Sequence, residues 1–267
     1  GITLGVTNNN PAAAFGTKHA GGTEKPRKRQ PTLEEWRIIF SVMRENQAHF
    51  CRENYLAVAI MLVLGVRKGE MISLRWDEID FDKRIWSLSE EKAKNGNELD
   101  IPLPPLVIEW LGELKIRAHA SDYVFPNRRA SKRRGYISDD TLNHALTNLF
   151  GRKTGKNESS TGDVLGKADI EYFVIHDIRR STRTTMSKNG VPNDVAETAI
   201  NHVKKGVEFI YNKDTFFKER VVAHQNMADL VAENRAVGAV QIIDPALEVT
   251  QYWGAIASNL RAVDIWI

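Results

Sequence analysis

The chain has 267 residues, 42% of them hydrophobic and 27% charged, so it can form one large domain or two modest ones around a sizeable core. Its longest apolar run, residues 55–66, is too short for a membrane span, its N-terminus lacks a secretion signal, and its single cysteine, Cys51, excludes an internal disulfide, which makes a cytosolic location the simplest expectation. The net charge of +3 does not by itself indicate a polyanionic partner, and the basic clusters at 25–29, 128–135 and 179–183 fit either solvated loops or a nucleic-acid surface.

The first predicted helix follows a segment, residues 1–30, whose Gly, Ala, Asn and Pro content is typical of a linker. Thr32, followed three residues later by Glu35, predicts a capping box, and apolar residues continue from there at helical spacing. A second helix, apolar on all sides and therefore buried, is predicted to end near Gly65. A further helical turn or two should follow it.

The middle of the chain predicts β-strands. Asn95 and Gly96 stand between the apolar segments RIWSL and LDIPL, which is a pattern typical of a β-hairpin. The segment DYVFP, residues 122–126, is a candidate third strand. Further helices are predicted at 105–118, 138–150, 177–189, 193–202 and 216–235. The chain is therefore predicted to be mainly α-helical with a small antiparallel β-sheet.

Several side chains in the sequence are of types that can take part in catalysis. His176 and Arg179 are three residues apart, so both can face the same side of a helix start. Alone, the pair is best explained as a core or capping histidine and a surface arginine. His202 and Tyr211 follow nine residues apart, and Arg67 comes directly after the buried helix without a local acidic partner being required.

These residues stand in stretches that resemble the tyrosine recombinases, also called phage-type integrases. The matching stretches are GVRKGEMISLRWDEID, KNGNELDIP, HDIRR and INHVKKGVEFIY, and they occur in the order typical of that family. The resemblance runs from about residue 30 to 235, and integrases of prophages, satellite phages and genomic islands are the most similar kind. It implies the family's catalytic-domain fold over residues 31–236, with 1–30 as an interdomain linker and 237–267 as a C-terminal tail.

The resemblance also implies a catalytic role for each residue. The guanidinium groups of Arg67 and Arg179 would bind the phosphate oxygens on which charge develops. Tyr211 would attack the phosphate and form a covalent phosphotyrosine, which stores the bond energy so that resealing needs no ATP. His176 would assist proton transfer at the tyrosine, and His202 would hydrogen-bond the scissile phosphate.

The family assigns protonation of the leaving 5′-oxygen to a lysine of the hairpin, here Lys94, with Lys92 as a rival. Acidic residues at Glu98 and Asp100 stand where more basic ones are common in the family, and Thr182 with Arg183 replaces small or apolar residues behind the His-x-x-Arg helix. No metal-ligand spacing and no glycine-rich phosphate loop is present in the sequence, which agrees with a mechanism without cofactors.

The implied function is site-specific recombination that integrates or excises a mobile element. The implied partners are double-stranded DNA attachment sites, three further copies of the protein in a synaptic tetramer, and accessory proteins that bend DNA or direct excision; free in solution the chain would be a monomer. Three alternatives stay open: a chromosome resolvase of the Xer kind, a type IB topoisomerase, and a catalytically silent DNA-binding domain. Apolar residues in the tail after Asp244 fit a helix that packs on its own core or docks on a neighbouring protomer.

Overall fold

We describe a computed structural model that covers residues 28–94, 96–128, 134–152, 162–202 and 215–236. Residues 1–30 form a separate unit of which only 28–30 are described, so the linker assignment stays a prediction. All the elements below belong to the second unit, which begins at Pro31. Within the described ranges, no helix is both long and apolar enough to cross a bilayer.

The first two helices agree with their sequence patterns. Helix α1, Leu33–Glu45, begins at the predicted capping box: the Thr32 N–H donates to Oε2 of Glu35 over 2.8 Å, and the Glu35 N–H donates to Oγ1 of Thr32 over 3.2 Å. Helix α2, Arg52–Leu64, is buried on nearly all sides. It ends at Gly65, whose φ of 65° is the left-handed conformation that glycine adopts at low cost.

The sheet differs in part from the prediction. After the short helix α3, Lys68–Ile72, and a 3₁₀ turn at Trp76–Glu78, three strands form an antiparallel sheet in the order β1-β2-β3. The pairing of Leu88 with Leu99 confirms the hairpin, but the connection spans residues 89–98, wider than an Asn-Gly turn. The strands are β1, Ile79–Asp80; β2, Ile85–Leu88; and β3, Leu99–Pro102.

The prediction of a strand at DYVFP is wrong. Tyr123 makes only an isolated bridge to Arg75, and Pro126 makes another to Tyr136, so neither residue belongs to a strand. The third strand of the sheet is instead the two-residue β1, which pairs with β2 through Ile79 and Trp86. The apolar residues of DYVFP contribute to the core instead, since Val124 and Phe125 are buried there.

The remaining helices lie close to their predicted ranges, except for one short helix that the sequence did not predict. That helix is α6, a single turn that Asp163 caps by accepting a hydrogen bond from the N–H of Gly166. The helices are α4, Pro105–Arg117; α5, Thr141–Leu149; α6, Val164–Lys167; α7, Ile175–Lys188; α8, Asn193–Ala199; and α9, Phe217–Ala236.

Helix α2 lies in the middle of the packed helices. It contacts α1, α3, α4, α7 and α9, which explains why it is apolar on every side. Helix α9 contacts α1, α2, α8 and strand β3. Because α2 ends three residues before Arg67, and because α7 carries Arg179 against α2, the core fixes the backbone positions from which both arginines extend.

Candidate active site

Arg67 lies between α2 and α3, and three hydrogen bonds hold it in place. Its backbone N–H donates to Oε2 of Glu70 over 2.9 Å, and its Nη1 donates to Oε1 of the same carboxylate over 2.8 Å. Its Nη2 donates to the carbonyl oxygen of Asn201 over 2.9 Å. The guanidinium is therefore fixed in orientation while 18% of the side chain stays exposed. The acidic partner of Arg67 is thus Glu70, one helical turn further on, a pairing that the sequence alone did not predict.

Arg179 extends from α7 into the same region and is almost completely buried. Its Nη1 donates to the carbonyl oxygen of Gly65 over 2.7 Å, and Nη2 has no acceptor among the described residues. Burial, followed by the positive charge of Arg67, lowers the pKa of Arg179 to about 10. The guanidinium groups of Arg67 and Arg179 therefore lie close together. Nη2 of Arg179 is a buried donor whose hydrogen bond a negatively charged oxygen would accept.

His176 is the second residue of α7, and Lys94 lies in the loop between β2 and β3. Loss of water around the ring, followed by the charges of Arg180 and Arg179, lowers the pKa of His176, and Lys94 also contributes to this effect. The hairpin loop therefore lies on the same side of the fold as the start of α7. Lys94 and Arg179 therefore both lie within electrostatic reach of His176.

Lys92, the rival of Lys94, is held by two contacts in the body of the domain. Its Nζ lies 2.6 Å from Oε1 of Glu78 and donates to the carbonyl oxygen of Ser73 over 3.1 Å. Lys94 is exposed on the loop. These contacts indicate a structural role for Lys92, and they favour Lys94 as the lysine that would act on a substrate.

His202 follows α8 and is oriented by Glu197, a residue that the sequence alone did not indicate. Asn201 adopts a left-handed φ of 49°, which turns the chain sharply after the helix. The Nδ1 atom of His202 lies 2.7 Å from Oε2 of Glu197, and the other carboxylate oxygen, Oε1, accepts from Nε of Arg183 over 2.6 Å. About half of the His202 side chain, 52%, remains exposed.

The unusual residues behind the His-x-x-Arg helix have clear partners. Thr182 is fully buried and donates from Oγ1 to the carbonyl oxygen of Leu62 over 2.8 Å, which joins α7 to α2. Arg183 contacts Asn193 and Ser187 in addition to Glu197. The packing behind this helix is therefore polar, and it is satisfied by hydrogen bonds.

Tyr211 lies outside the described residues, as do Asn95 and the tail 237–267, so their predicted roles stay predictions. The chain that follows Tyr211 is described from Thr215. Arg220 on α9 is completely buried and donates from Nε to the carbonyl oxygen of Thr215 and from Nη1 to that of Asp100, both over 2.7 Å. Strand β3 of the lysine hairpin is therefore tied to the helix that follows the predicted nucleophile.

Two arginines of the basic cluster at 128–135 are paired with acidic residues. Arg128 lies 3.3 Å from Glu53, and Arg134 lies 2.9 Å from Asp139. Both arginines keep exposed surface, 72% and 37% of the side chain respectively. Among the described residues, no group of three or more His, Cys, Asp or Glu side chains could hold a metal ion.

Comparison with known proteins decides the family. The model of the phage integrase family matches residues 33–217, a range that contains all six candidate catalytic residues. The chain belongs to the phage integrase family. The predicted fold is confirmed as well, since the described part is mainly helical with a small antiparallel sheet and solved integrase structures share its architecture.

Relatives of the family cover much of the chain. The prophage integrase IntA of Escherichia coli K12 is 29% identical over 171 residues, which is 64% of this chain and 37% of that protein. The tyrosine recombinase XerA of Pyrococcus furiosus is 26% identical over 186 residues, 69% of this chain and 57% of the relative. The chain therefore spans between about a third and three fifths of the length of these integrase relatives.

Two solved structures show the same fold at low identity. The integrase of the transposon Tn1549, solved with transposon right end DNA, has a TM-score of 0.54 at 15% identity, over 88% of this chain and 74% of that one. The integrase of mycobacterium phage Brujita has a TM-score of 0.52 at 13% identity, over 86% of this chain and 70% of that one.

Proposed function

We propose that this chain is the catalytic part of a tyrosine site-specific recombinase that integrates or excises a mobile DNA element. The observation that best supports the proposal is that the guanidinium groups of Arg67 and Arg179 lie close together. Each guanidinium is steadied by a main-chain carbonyl, and Nη2 of Arg179 has no acceptor in the described part of the protein. Such an arrangement suits the non-bridging oxygens of a DNA phosphodiester, which bear the developing charge of a five-coordinate transition state.

In the proposed reaction, the Tyr211 oxygen attacks the scissile phosphorus. A phosphorus–oxygen bond to the tyrosine forms while the bond to the 5′-oxygen breaks, which leaves a 3′-phosphotyrosine. Lys94 supplies the proton that the leaving 5′-oxygen needs, and His176 assists removal of the proton from the tyrosine. Attack by a 5′-hydroxyl from another strand reverses these steps and joins the DNA. The bond count is unchanged, so no ATP is required.

The proposed partners follow from this activity. Double-stranded DNA with attachment sites is the substrate, and four copies of the protein would hold two such sites in a synaptic complex. Solved relatives of the fold include an integrase in complex with transposon right end DNA, which supports DNA as the partner. Accessory DNA-bending or excision-directing proteins and a cytoplasmic location remain predictions.

The test is covalent attachment to a nicked duplex that carries the junction sequence of the mobile element. Cleavage next to the nick releases a short fragment with a free 5′-hydroxyl, and its loss traps the protein on the DNA. The parent protein should form an adduct that survives denaturing electrophoresis, and the Tyr211→Phe variant should form none while it binds the duplex with nearly unchanged affinity. One hydroxyl supplies the nucleophile but little of the binding surface.

The matched control is Tyr55→Phe, which also removes a single hydroxyl. Tyr55 lies in the core, where its hydroxyl accepts a weak hydrogen bond from Arg44 over 3.3 Å. This variant should form the adduct at the parent rate. Adduct formation by Tyr211→Phe at the parent yield would reject the assigned nucleophile, and DNA binding without an adduct from the parent would favour a silent DNA-binding domain.

A further inference from the structure

We infer that Glu197 is a positioning residue for His202: it fixes the proton of the imidazole on Nδ1 and so presents Nε2 to the scissile phosphate. The inference deepens the proposed function and rests on it for the role of His202. Nothing in the sequence analysis or in the family resemblance assigned a role to Glu197. Glu197 makes two contacts with His202, and its carboxylate is itself held in place.

His202 is bound to Glu197 through two hydrogen-bonding contacts. The backbone N–H of His202 donates to the carbonyl oxygen of Glu197 over 2.9 Å, which is the hydrogen bond of the last turn after α8. The side-chain contact between Nδ1 and Oε2 is 2.7 Å. Together they define both the position of the histidine Cα and the rotation of its ring. A histidine that moved freely on the surface would not be held by these two contacts.

The carboxylate of Glu197 is held so that it cannot turn away from His202. Its two oxygens serve different partners, since Oε2 contacts His202 and Oε1 accepts from Nε of Arg183 over 2.6 Å. Arg183 is itself held by contacts with Ser187 on α7 and Asn193 on α8. The arginine therefore holds the carboxylate oxygen that His202 does not contact, and α7 and α8 together carry the arrangement.

The ionised carboxylate of Glu197 determines which ring nitrogen of His202 carries the proton. Although partial burial opposes ionisation, the hydrogen bonds from Arg183 and His202 hold the pKa of Glu197 below its ordinary value. An ionised carboxylate only accepts hydrogen bonds, so Nδ1 of His202 must be the donor. The ring nitrogen that faces away from Glu197 is Nε2, and it is the atom left for a phosphate oxygen. When Nε2 also carries a proton, the carboxylate balances the charge of the imidazolium.

Glu197 and His202 lie close to the two arginines of the site. Asn201, the residue between α8 and His202, accepts a hydrogen bond from Nη2 of Arg67 through its carbonyl oxygen. The negative charge of Glu197 also acts on Arg179, where it opposes the lowering of the pKa that burial causes. A histidine presented from this point would approach the same phosphate as the two guanidinium groups.

The experiment is a double-mutant cycle on Glu197 and His202, read as the single-turnover rate of cleavage of the nicked duplex. Glu197→Ala should slow cleavage on the order of tenfold to a hundredfold, the range for a lost hydrogen bond to a charged group. Glu197→Gln keeps an acceptor for Nδ1 but loses the charge, so its rate should lie between those of the parent and the alanine variant. In the His202→Ala background, Glu197→Ala should have no further effect.

The matched control is Glu113→Ala. Glu113 is also a partly buried carboxylate between two arginines, 2.7 Å from Arg52 and 2.9 Å from Arg117, and its side chain is 21% exposed against 24% for Glu197. It lies on α4, which carries none of the candidate catalytic residues. This variant should cleave within about twofold of the parent rate, as is usual for a change remote from the reacting groups.

A second measurement does not depend on cleavage. Nitrogen NMR of histidine-labelled protein, recorded above the pH range in which histidine titrates, should show the His202 ring protonated on Nδ1 in the parent, and on Nε2 in Glu197→Ala. The signal is assigned by its loss in His202→Ala. Rate losses that multiply in the double variant, or an Nε2-protonated ring in the parent, would overturn the inference. If the parent cleaves no DNA, the proposed function fails, while the NMR result still decides what Glu197 does to the ring.

Discussion

Arg67 donates from Nη2 to the carbonyl oxygen of Asn201 over 2.9 Å, although 134 positions separate the two residues in the chain. The contact joins the start of α3 to the turn that precedes His202. It also occupies one edge of the Arg67 fork, while Glu70 occupies another. The orientation of this guanidinium is therefore set before any substrate arrives, which is the preorganisation that electrostatic catalysis requires.

We expect lysine at position 67 or at position 179 to remove most of the cleavage rate. A single ammonium cannot keep the structural hydrogen bonds of the fork and also contact two phosphate oxygens. The expected loss is roughly 3 kcal/mol of transition-state stabilisation, or on the order of a hundredfold in single-turnover rate. Arg52→Lys, which changes an arginine paired with Glu113 outside the site, is the control. A rate for either variant within about threefold of the parent would remove that arginine from the site.

The identity of the general acid can be tested with a modified substrate. A 5′-bridging sulfur is a good leaving group that needs no proton, so a variant that lacks the general acid should recover on such DNA. We expect Lys94→Ala to cleave ordinary DNA slowly, about a hundredfold or more below the parent, and the sulfur substrate at nearly the parent rate.

Lys92→Ala serves as the matched variant for this test. Its ammonium is engaged by Glu78 at 2.6 Å, so its removal should affect folding stability more than the rate, with no selective recovery on the sulfur substrate. Recovery of Lys92→Ala in place of Lys94→Ala would exchange the two roles.

Gly65 is expected to tolerate no side chain. Its φ is 65°, and an added Cβ would lie 2.7 Å from Cγ2 of Ile200 and 3.1 Å from Cγ2 of Thr182. The left-handed conformation alone costs an alanine about 1–2 kcal/mol, and the contact with Ile200 adds to it. We therefore expect Gly65→Ala to lower the free energy of unfolding by about 2 kcal/mol or more in urea titrations.

Gly69 provides the control for that substitution. It lies in α3, and a Cβ there would meet nothing within 4 Å. Gly69→Ala should leave stability unchanged or raise it by up to about 1 kcal/mol, because alanine is the better helix former. Equal losses of stability in the two variants would contradict the steric explanation for Gly65.

The buried His224 predicts a dependence of stability on pH. Complete burial, aided by the charge of Arg220 and opposed by the hydrogen bond that Nδ1 donates to the Pro102 carbonyl, lowers the pKa of His224 to about 4. Between the ordinary pKa of about 6.5 and that value, the unfolded chain binds a proton that the folded protein does not. This contribution to stability is therefore complete above pH 6.5 and is lost as the pH falls, by up to roughly 3 kcal/mol near pH 4.

Unfolding free energies measured in urea at several pH values check this expectation. His224→Gln should flatten the slope between pH 6.5 and pH 4, whatever its effect on stability at neutral pH. His144→Gln, which changes an exposed histidine on α5, should retain the parent slope. An unchanged slope in His224→Gln would mean that other groups cause the dependence.

The sequence predicted the elements whose patterns are long. Helices α1 and α2 were recognised because one repeats its apolar residues at helical spacing and the other is apolar throughout. Strand β1 and helix α6 were not, since two residues and four residues carry no measurable period. The apolar segment DYVFP was misassigned because a short buried loop and a short buried strand have the same composition.

The candidate site shows a similar division. The sequence named Arg67, Arg179 and His202 because their order matches a family, and the structure brings the two arginines together and links the first to the residue before His202. Glu197 was missed because the contact that defines it requires the left-handed turn at Asn201, which helical spacing does not predict. Buried Arg220 was missed because its partners are backbone carbonyls, which every residue possesses.

Arg67 and Arg179 are each hydrogen-bonded to a main-chain carbonyl oxygen, and this affects which substitutions the site can tolerate during evolution. A carbonyl oxygen is the same acceptor whichever side chain its residue carries, so neighbouring positions can be substituted without the loss of either contact. The restriction falls instead on conformation at Gly65 and Asn201, whose φ angles of 65° and 49° suit few residue types. Lineages of this domain that keep Glu70 beside Arg67 can therefore diverge until little identity remains and still hold both guanidinium groups in the same orientation.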